Sequence, residues 1–600
     1  MGPPPCLEQL LRVPSTVLVD ADDAGRLLLR NDATGTLQLY ELSGGDLRQL
    51  TGFAEPATGR YLPGSRRLVV AADTGGNERH QLSLLDAVTG ELAPLVHDPR
   101  FIHRIAGVSL DGRLVAYLCN RRNGVDFDLY VHDLSSGEDR CVYDGGGWCQ
   151  PQGFSPDGRW LTLYRPGPWP MDGDLLLVDA AGGGAVVLTP HAEPAEVTAP
   201  AWLPDGSGFY FSTSQGADVL RVARYDLREE RWEHVLDGPW DTSCAVSRDG
   251  ATLLVGANEE GCTRLSLYRA GDLAPLGEVP LAGPGVAWWE DLVPPPQLAP
   301  DASWLAYTLS GPQQPPAVFR FDRATGATAR VAGEPADGAL ALPELGRVPS
   351  FDGETVPVLV YRPPVTGRGP TPVVVHVHGG PESQARPTFN PVVQGLVSRG
   401  YAVVVPNVRG STGYGKRYYS LDDTVRRLDS VADLAAVHDW MASAGLDPGR
   451  AALWGGSYGG YMVLAGVSMQ PERWAAGVDI VGISDLVTFL ERTSAYRRAH
   501  REREYGSLER DREFLRAASP LTHVGEIRAP LFVIHGANDP RVPLSEAEQI
   551  AASLASRGVR HELVVYADEG HGLARLANRL DAYPRAADFL REVLGALGAA

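Results

Sequence analysis

Lysine is almost missing from this chain. Lys416 is the sole example among 54 basic residues, the rest being arginine, a bias that reads as genome composition and carries no functional message. Basic charge as a whole is also in deficit, because 74 acidic residues leave a formal net charge of −20. Nucleic acids and anionic membranes reward clustered Lys and Arg, so neither is expected as the main partner. Cysteine is scarce too. The six residues, Cys6, Cys119, Cys141, Cys149, Cys244 and Cys262, form no CxxC pair and meet no histidine at zinc-finger spacing. That excludes the usual structural zinc motifs and fits free thiols in a reducing compartment. No apolar run approaches the roughly 18 residues that a membrane-spanning helix needs. The opening "MGPPPCLEQLLRVPST" has no basic stretch leading into an apolar segment and carries prolines at positions 3 to 5, which suits no signal peptide. A cytoplasmic protein without a structural metal is the expectation.

What is present divides in two. Six hundred residues exceed one ordinary domain, and a repeat fills the first half. A Pro-Asp-Gly-like turn precedes an apolar strand, a loop and a second apolar strand, as in "SLDGRLVAY" followed by "DLYVHDLSSGE". The turns centre on Gly25, Gly64, Gly112, Gly158, Gly206, Gly250 and Ala302, 39 to 52 residues apart. Repeats of that length holding several short strands are the mark of propeller blades, and Asp and Gly tolerate the positive φ of tight hairpins. Seven units predict a seven-bladed β-propeller over 15–335. Residues 1–14 are expected to pack on the second domain.

From about residue 340 short apolar runs such as "TPVVVHVHGG", "YAVVVPNVRG" and "PLFVIHG" alternate with helix-length segments such as "VADLAAVHDWMASAG". This is the pattern of buried parallel strands in a doubly wound α/β layer, here an α/β-hydrolase domain over 340–600. In "AALWGGSYGGYMVLAG" five glycines surround Ser457. Gly455, Ser457 and Gly459 make a G-x-S-x-G element between a strand and a helix, where a serine on a strained turn needs small neighbours. A serine needs a base to take its proton, and the base needs a third group to orient it. In the Ser, acid, His order of α/β-hydrolases, Asp539 in "ANDPRVP" and His571 in "DEGHG" follow strand ends and are the candidates. The oxyanion donors are expected to be the N–H groups of Tyr458, next after the serine, and of Gly380 in "HVHGGPES".

"HGGPES", "NVRGSTGYGKRYY", "GGSYGGYM", "SPLTHV", "HGANDPRVP" and "DEGHG", preceded by seven propeller repeats, together resemble the prolyl oligopeptidase family of serine peptidases, most closely its acylaminoacyl-peptidase-like and aminopeptidase-type members. The resemblance covers nearly the whole chain and implies a Ser457–Asp539–His571 triad. Some members place a tyrosine oxyanion donor where this chain has His378, which favours the Gly380 backbone instead. The resemblance further implies that Arg541 touches substrate or orders the pocket, and that 484–520 shapes the pocket before the scissile bond, with Phe489, Tyr496 and Val542 as lining and the arginine-rich middle as a solvated helix face.

The propeller is expected to gate access so that only short peptides enter. Its loops between second and third strands carry Glu78, Asp126, Asp172, Asp218, Glu259 and Glu260, among which Glu259 and Glu260 are the candidates to receive a peptide amine. That gives an aminopeptidase-like exopeptidase requiring no cofactor. An acylaminoacyl peptidase, an oligo-endopeptidase, a carboxypeptidase, an esterase and an inactive propeller scaffold remain the competing readings, and homo-oligomerisation stays open.

Overall fold

The computed structural model describes residues 4–289, 292–364 and 369–595. Seven four-stranded antiparallel sheets form the blades of a β-propeller, the first built from Thr16–Ala21, Leu27–Asn31, Gln38–Ser43 and Asp46–Gln49 and the others from 57–96, 103–143, 150–187, 201–234, 242–278 and 297–332. Each blade is one contiguous stretch of chain, so the ring closes by packing and not by strand exchange. Leu18 and Leu29 of the first blade pack with Ala306 and Val318 of the seventh, and the Leu18 N–H donates to Thr308 Oγ1 at 2.8 Å. The Asp-Gly turns have the expected left-handed backbone, with φ of 69° at Gly112, and Ala302 holds the same geometry at 52° without being glycine. A blade packed on both sides can impose that conformation at a cost of about 1 kcal/mol or more.

The second half is an eight-stranded sheet. Its strands are β1 (Pro343–Pro349), β2 (Thr355–Tyr361), β3 (Thr371–Val377), β4 (Ala402–Pro406), β5 (Leu446–Gly456), β6 (Ala476–Ile480), β7 (Leu531–Gly536) and β8 (His561–Tyr566), in the order 1-2-4-3-5-6-7-8. The two β2 contacts, with β1 and β4, are antiparallel and the remainder parallel. Val373, Val374 and Val375 of β3 are fully buried because helices cover both faces, which is why these strands read as unbroken apolar runs. Helix α1 (Leu7–Leu11) reaches across the chain: Leu7 sits on Gly395 of α2 (Pro391–Ser398), where a Cβ would come within 2.7 Å of it.

Loops between the second and third strands of the blades face this sheet's carboxyl edge. In the second blade Gly75 and Gly76 meet Asn538 and Gly570, and in the sixth Asn258 donates to Gln384 Oε1 at 2.8 Å.

Candidate active site

Strand β5 ends at Gly456 and helix α3 (Tyr458–Met469) begins two residues later. The turn between them is Ser457 itself, with φ 59° and ψ −117°, outside the regions a non-glycine residue ordinarily occupies. The glycines of the motif now have separate causes. A Cβ on Gly455 would lie 2.3 Å from the Gly459 carbonyl oxygen, and one on Gly459 would lie 2.2 Å from that of Val377. Helix and strand are in backbone contact there, and the serine is pinned by its N–H donating to Ile480 O at 2.8 Å.

Asp539 and His571 come from the loops after β7 and β8. The His571 Nδ1–H donates to Asp539 Oδ2 at 2.7 Å, which leaves Nε2 as acceptor 2.9 Å from Ser457 Oγ. Asp539 Oδ1 accepts from the N–H groups of Arg541 at 2.8 Å and Val542 at 3.0 Å. Burial alone would raise this carboxyl, but the charge and hydrogen bond of His571 hold it below the ordinary carboxylate value. His535, which burial keeps neutral, donates to Val542 O at 3.0 Å and braces the same loop. Such an array can take a proton from the serine, return it to a leaving amine, and stabilise the imidazolium formed between.

The two expected oxyanion residues flank the serine. Tyr458 opens α3, its side chain is fully buried, and its hydroxyl donates to Ser430 Oγ at 2.8 Å. The 379–380 loop crosses directly over the serine: a Cβ on Gly379 would lie 3.5 Å from Ser457 Cβ. Gly380, at φ 134°, follows. His378 turns away, bonded through Nε2 to Ser411 Oγ at 2.9 Å and through Nδ1 to Gly379 O at 2.7 Å.

The remaining sequence candidates fall in four places. Arg541 and Val542 form the Asp539 loop, with Val542 buried. Phe489 lies in the apolar core with its ring edge-on to Tyr505 at 5.7 Å. Tyr496 packs on Phe127 at 5.7 Å and Trp148 at 5.3 Å, both from the propeller. Glu259 and Glu260 lie on the sixth blade. Glu259 pairs with Arg264 and Glu260 with Arg347 of β1, at a hairpin tip seated against Arg386 and Pro387, whereas the Asp539 and His571 loops meet the second blade. Their carboxylates are taken up by neighbouring guanidinium groups and join none of the contacts around Ser457.

Glu78 stands where those two were expected. The second blade holds it at φ 59°, its Oε1 pairs with Arg541, and its Oε2 accepts from the Tyr496 hydroxyl at 3.2 Å. Burial works against its charge, yet Arg541 and Arg497 keep the carboxyl below its ordinary value, and His571 is near enough to add to the effect. Nothing in "GGNERHQ" singles it out, since the contact with Arg541 spans 463 positions.

The fold with this sheet edge defines the class, a propeller-capped α/β-hydrolase. Residues 387–597 match the prolyl oligopeptidase family. Dipeptidyl aminopeptidase BIII of Pseudoxanthomonas mexicana is 29% identical over 88% of this chain and 78% of its own length. Acylamino-acid-releasing enzyme of Arabidopsis thaliana is 30% identical over 34% of this chain, which covers 28% of that protein. The structure of a puromycin-hydrolyzing peptidase from Mycobacterium tuberculosis superposes with a TM-score of 0.85, covering 99% of this chain and 97% of that one at 22% identity. The family match over 387–597 and the relatives named as peptidases make this chain a serine-type peptidase.

Proposed function

We propose that Ser457 is the nucleophile, His571 the general base and acid, and Asp539 the group that fixes the imidazole. In this reading Ser457 Oγ attacks the scissile carbonyl carbon while its proton passes to His571 Nε2. The carbonyl oxygen gains the negative charge and is met by the N–H groups of Tyr458 and Gly380. Collapse of the tetrahedral intermediate breaks the C–N bond, and His571 gives the proton to the departing amine. Water, deprotonated by the same imidazole, then releases the acyl group. The hydrogen-bonded row Asp539–His571–Ser457, at 2.7 and 2.9 Å, is the observation that carries this assignment.

We further propose that 340–600 is the catalytic unit, that 15–335 restricts entry to short peptides, and that Glu78 receives the free α-amino group of the substrate, making the enzyme an exopeptidase working from the N-terminus. Glu78 is ionised, anchored by the propeller, and beside the imidazole. A relative named for dipeptidyl aminopeptidase activity supports this mode.

One short peptide prepared with a free or acetylated N-terminus, offered to wild type, Ser457→Ala and Glu78→Gln, tests both levels. The expected result is cleavage of the free-amine form alone, lost in Ser457→Ala and reduced about tenfold or more in Glu78→Gln. Equal cleavage of the acetylated form would overturn the aminopeptidase mode and favour acylaminoacyl release. Full activity in Ser457→Ala would overturn the triad.

A further inference from the structure

The arginine-rich stretch of "AYRRAHREREY" is not the solvated face expected of it. It forms helix α4 (Ala495–Tyr505), wedged between the propeller and the loops around Ser457. Arg497 and Arg501, four residues apart, share one side of this helix. Arg497 is half-buried with its guanidinium 5.1 Å from the centre of the Trp148 ring, and among the described residues it forms no ion pair. Burial, with repulsion from Arg501 and Arg541, pushes it down to about 10. Arg501 has a side chain only 11% exposed, and among the described residues its buried Nε has no partner. Among those residues its other nitrogens reach only distant acceptors, Gly380 O and Glu382 Oε2, each at 3.5 Å.

The counter-charge nearby falls short. Burial and the neighbouring Glu504 push the Glu382 carboxyl up to about 8, so near neutrality it holds its proton and leaves Arg501 uncompensated. Glu78 is ionised, but its charge is shared between Arg541 and, in the reading proposed above, the α-amino group of the substrate. His500, its ring tilted against Trp148 at 5.8 Å, is kept neutral by burial and the surrounding arginines. One end of the Arg497–Arg501 row faces the Glu78–Arg541 pair beside His571, and the other reaches Gly380 beside Ser457. A partly desolvated pair of guanidinium groups short of anions is costly, and a ligand carboxylate is the group that relieves it.

We propose that Arg497 and Arg501 form a substrate-carboxylate site, so that the enzyme prefers peptides bearing an acidic group close to the cleaved bond. The carboxylate belongs either to an Asp or Glu side chain or to the C-terminus of a very short peptide. This rests on the serine-peptidase reading of the same site.

The test uses short free-amine peptides in which Glu is exchanged for Gln at each of the first three positions, each with a free or amidated C-terminus. The quantity read is the acid-to-amide ratio of kcat/KM. For wild type the ratio is expected to reach about tenfold or more at one place, to fall toward one in Arg497→Gln and Arg501→Gln, to survive in part in Arg497→Lys, and to shrink with added salt. A ratio that follows the side chain in amidated peptides assigns the carboxylate to an acidic residue, and one that appears only with the free C-terminus assigns it to the chain end. Binding of the same acid and amide pairs to Ser457→Ala, read by fluorescence, separates recognition from chemistry. Should Ser457→Ala still cleave, the triad reading fails while the Kd ratio still decides the carboxylate site. A wild-type ratio near one at every place, or a ratio undiminished in both Gln variants, overturns the proposal.

Discussion

Ser457 at φ 59° is a local cost met by its surroundings. The strand and helix it joins touch through Gly455 and Gly459, and the expense of that turn is visible in the sequence as lost side chains. Gly459→Ala is accordingly expected to be more damaging than a usual helix substitution, although alanine favours helices. Its Cβ would meet the Val377 carbonyl oxygen at 2.2 Å, a backbone atom of the central strand that cannot rotate away. Thermal melts should show a loss of several degrees or more together with loss of activity, and a variant as stable as wild type would mean that α3 can shift outward freely. Asp539→Asn makes the opposite kind of change, keeping shape and altering the imidazole tautomer. Its kcat is expected to fall about 10⁴-fold with little change in Tm, checked by steady-state kinetics beside a melt. The hydrogen-bonded row of Asp539, His571 and Ser457 was legible because each of the three sits in a motif beside a strand end. Glu78 was not, because its significance lies in Arg541, Tyr496 and His571, all contributed by the other domain. Adjacent acidic residues at 259 and 260 looked more like an amine receptor than a lone glutamate at 78, but sequence does not show that Arg264 and Arg347 already occupy them.

At the scale of elements, the propeller repeat was readable from its turns, even where Ala302 stands in for glycine. Helix α4 misled for the reason that Glu78 was missed: amphipathic composition reports polarity, and a helix lodged between two domains can bury polar side chains against the partner domain. Its last turn, the loop at Glu382 and the turn at 422–427 together bury four carboxyl groups. Arg427, fully buried, pairs with Asp422 and Glu504, whereas burial and the charge of Glu504 push Glu382 and Asp423 up to about 8. In the unfolded chain these two carboxyls would ionise near their ordinary values of about 4. Between there and about pH 8 the folded state holds protons that the unfolded state has released, so stability falls as pH rises through this window. Melting temperature is expected to decline from pH 5 to pH 8, and Glu382→Gln, which cannot ionise, to flatten the decline. A slope as steep in the variant as in wild type would remove Glu382 from the account.

The whole molecule poses the question of entry. The second blade sits against the catalytic loops with no intervening space: a Cβ on Gly76 would lie 2.5 Å from Gly570 N, next to His571, and Asn538 Nδ2, next to Asp539, donates to Gly75 O at 2.9 Å. The contacts around this junction are largely polar, with Arg575 on Glu55, Arg579 on Asp32 and Arg541 on Glu78. These side chains are largely buried at the junction, but parting the domains returns both members of each pair to water, so regained hydration offsets the lost attraction and opening costs little beside unfolding either domain. At the far end of the propeller a cavity of about 590 Å³, lined by Asp20, Arg60, Phe154 and Arg248 among others, offers the alternative route along the ring axis. Opening at the junction is the expected route, because it needs no blade to distort. Paired substitution Gly75→Cys and Asn538→Cys places two thiols where the Gly75 Cβ would already lie 3.0 Å from the Asn538 side chain. Oxidation should then suppress peptide cleavage and reductant restore it, with the reduced double variant as the reference for any effect of the substitutions themselves. Full turnover in the oxidised form, after mass spectrometry has confirmed the cross-link, would instead send the substrate through the propeller, making the width of that axis the filter on peptide size.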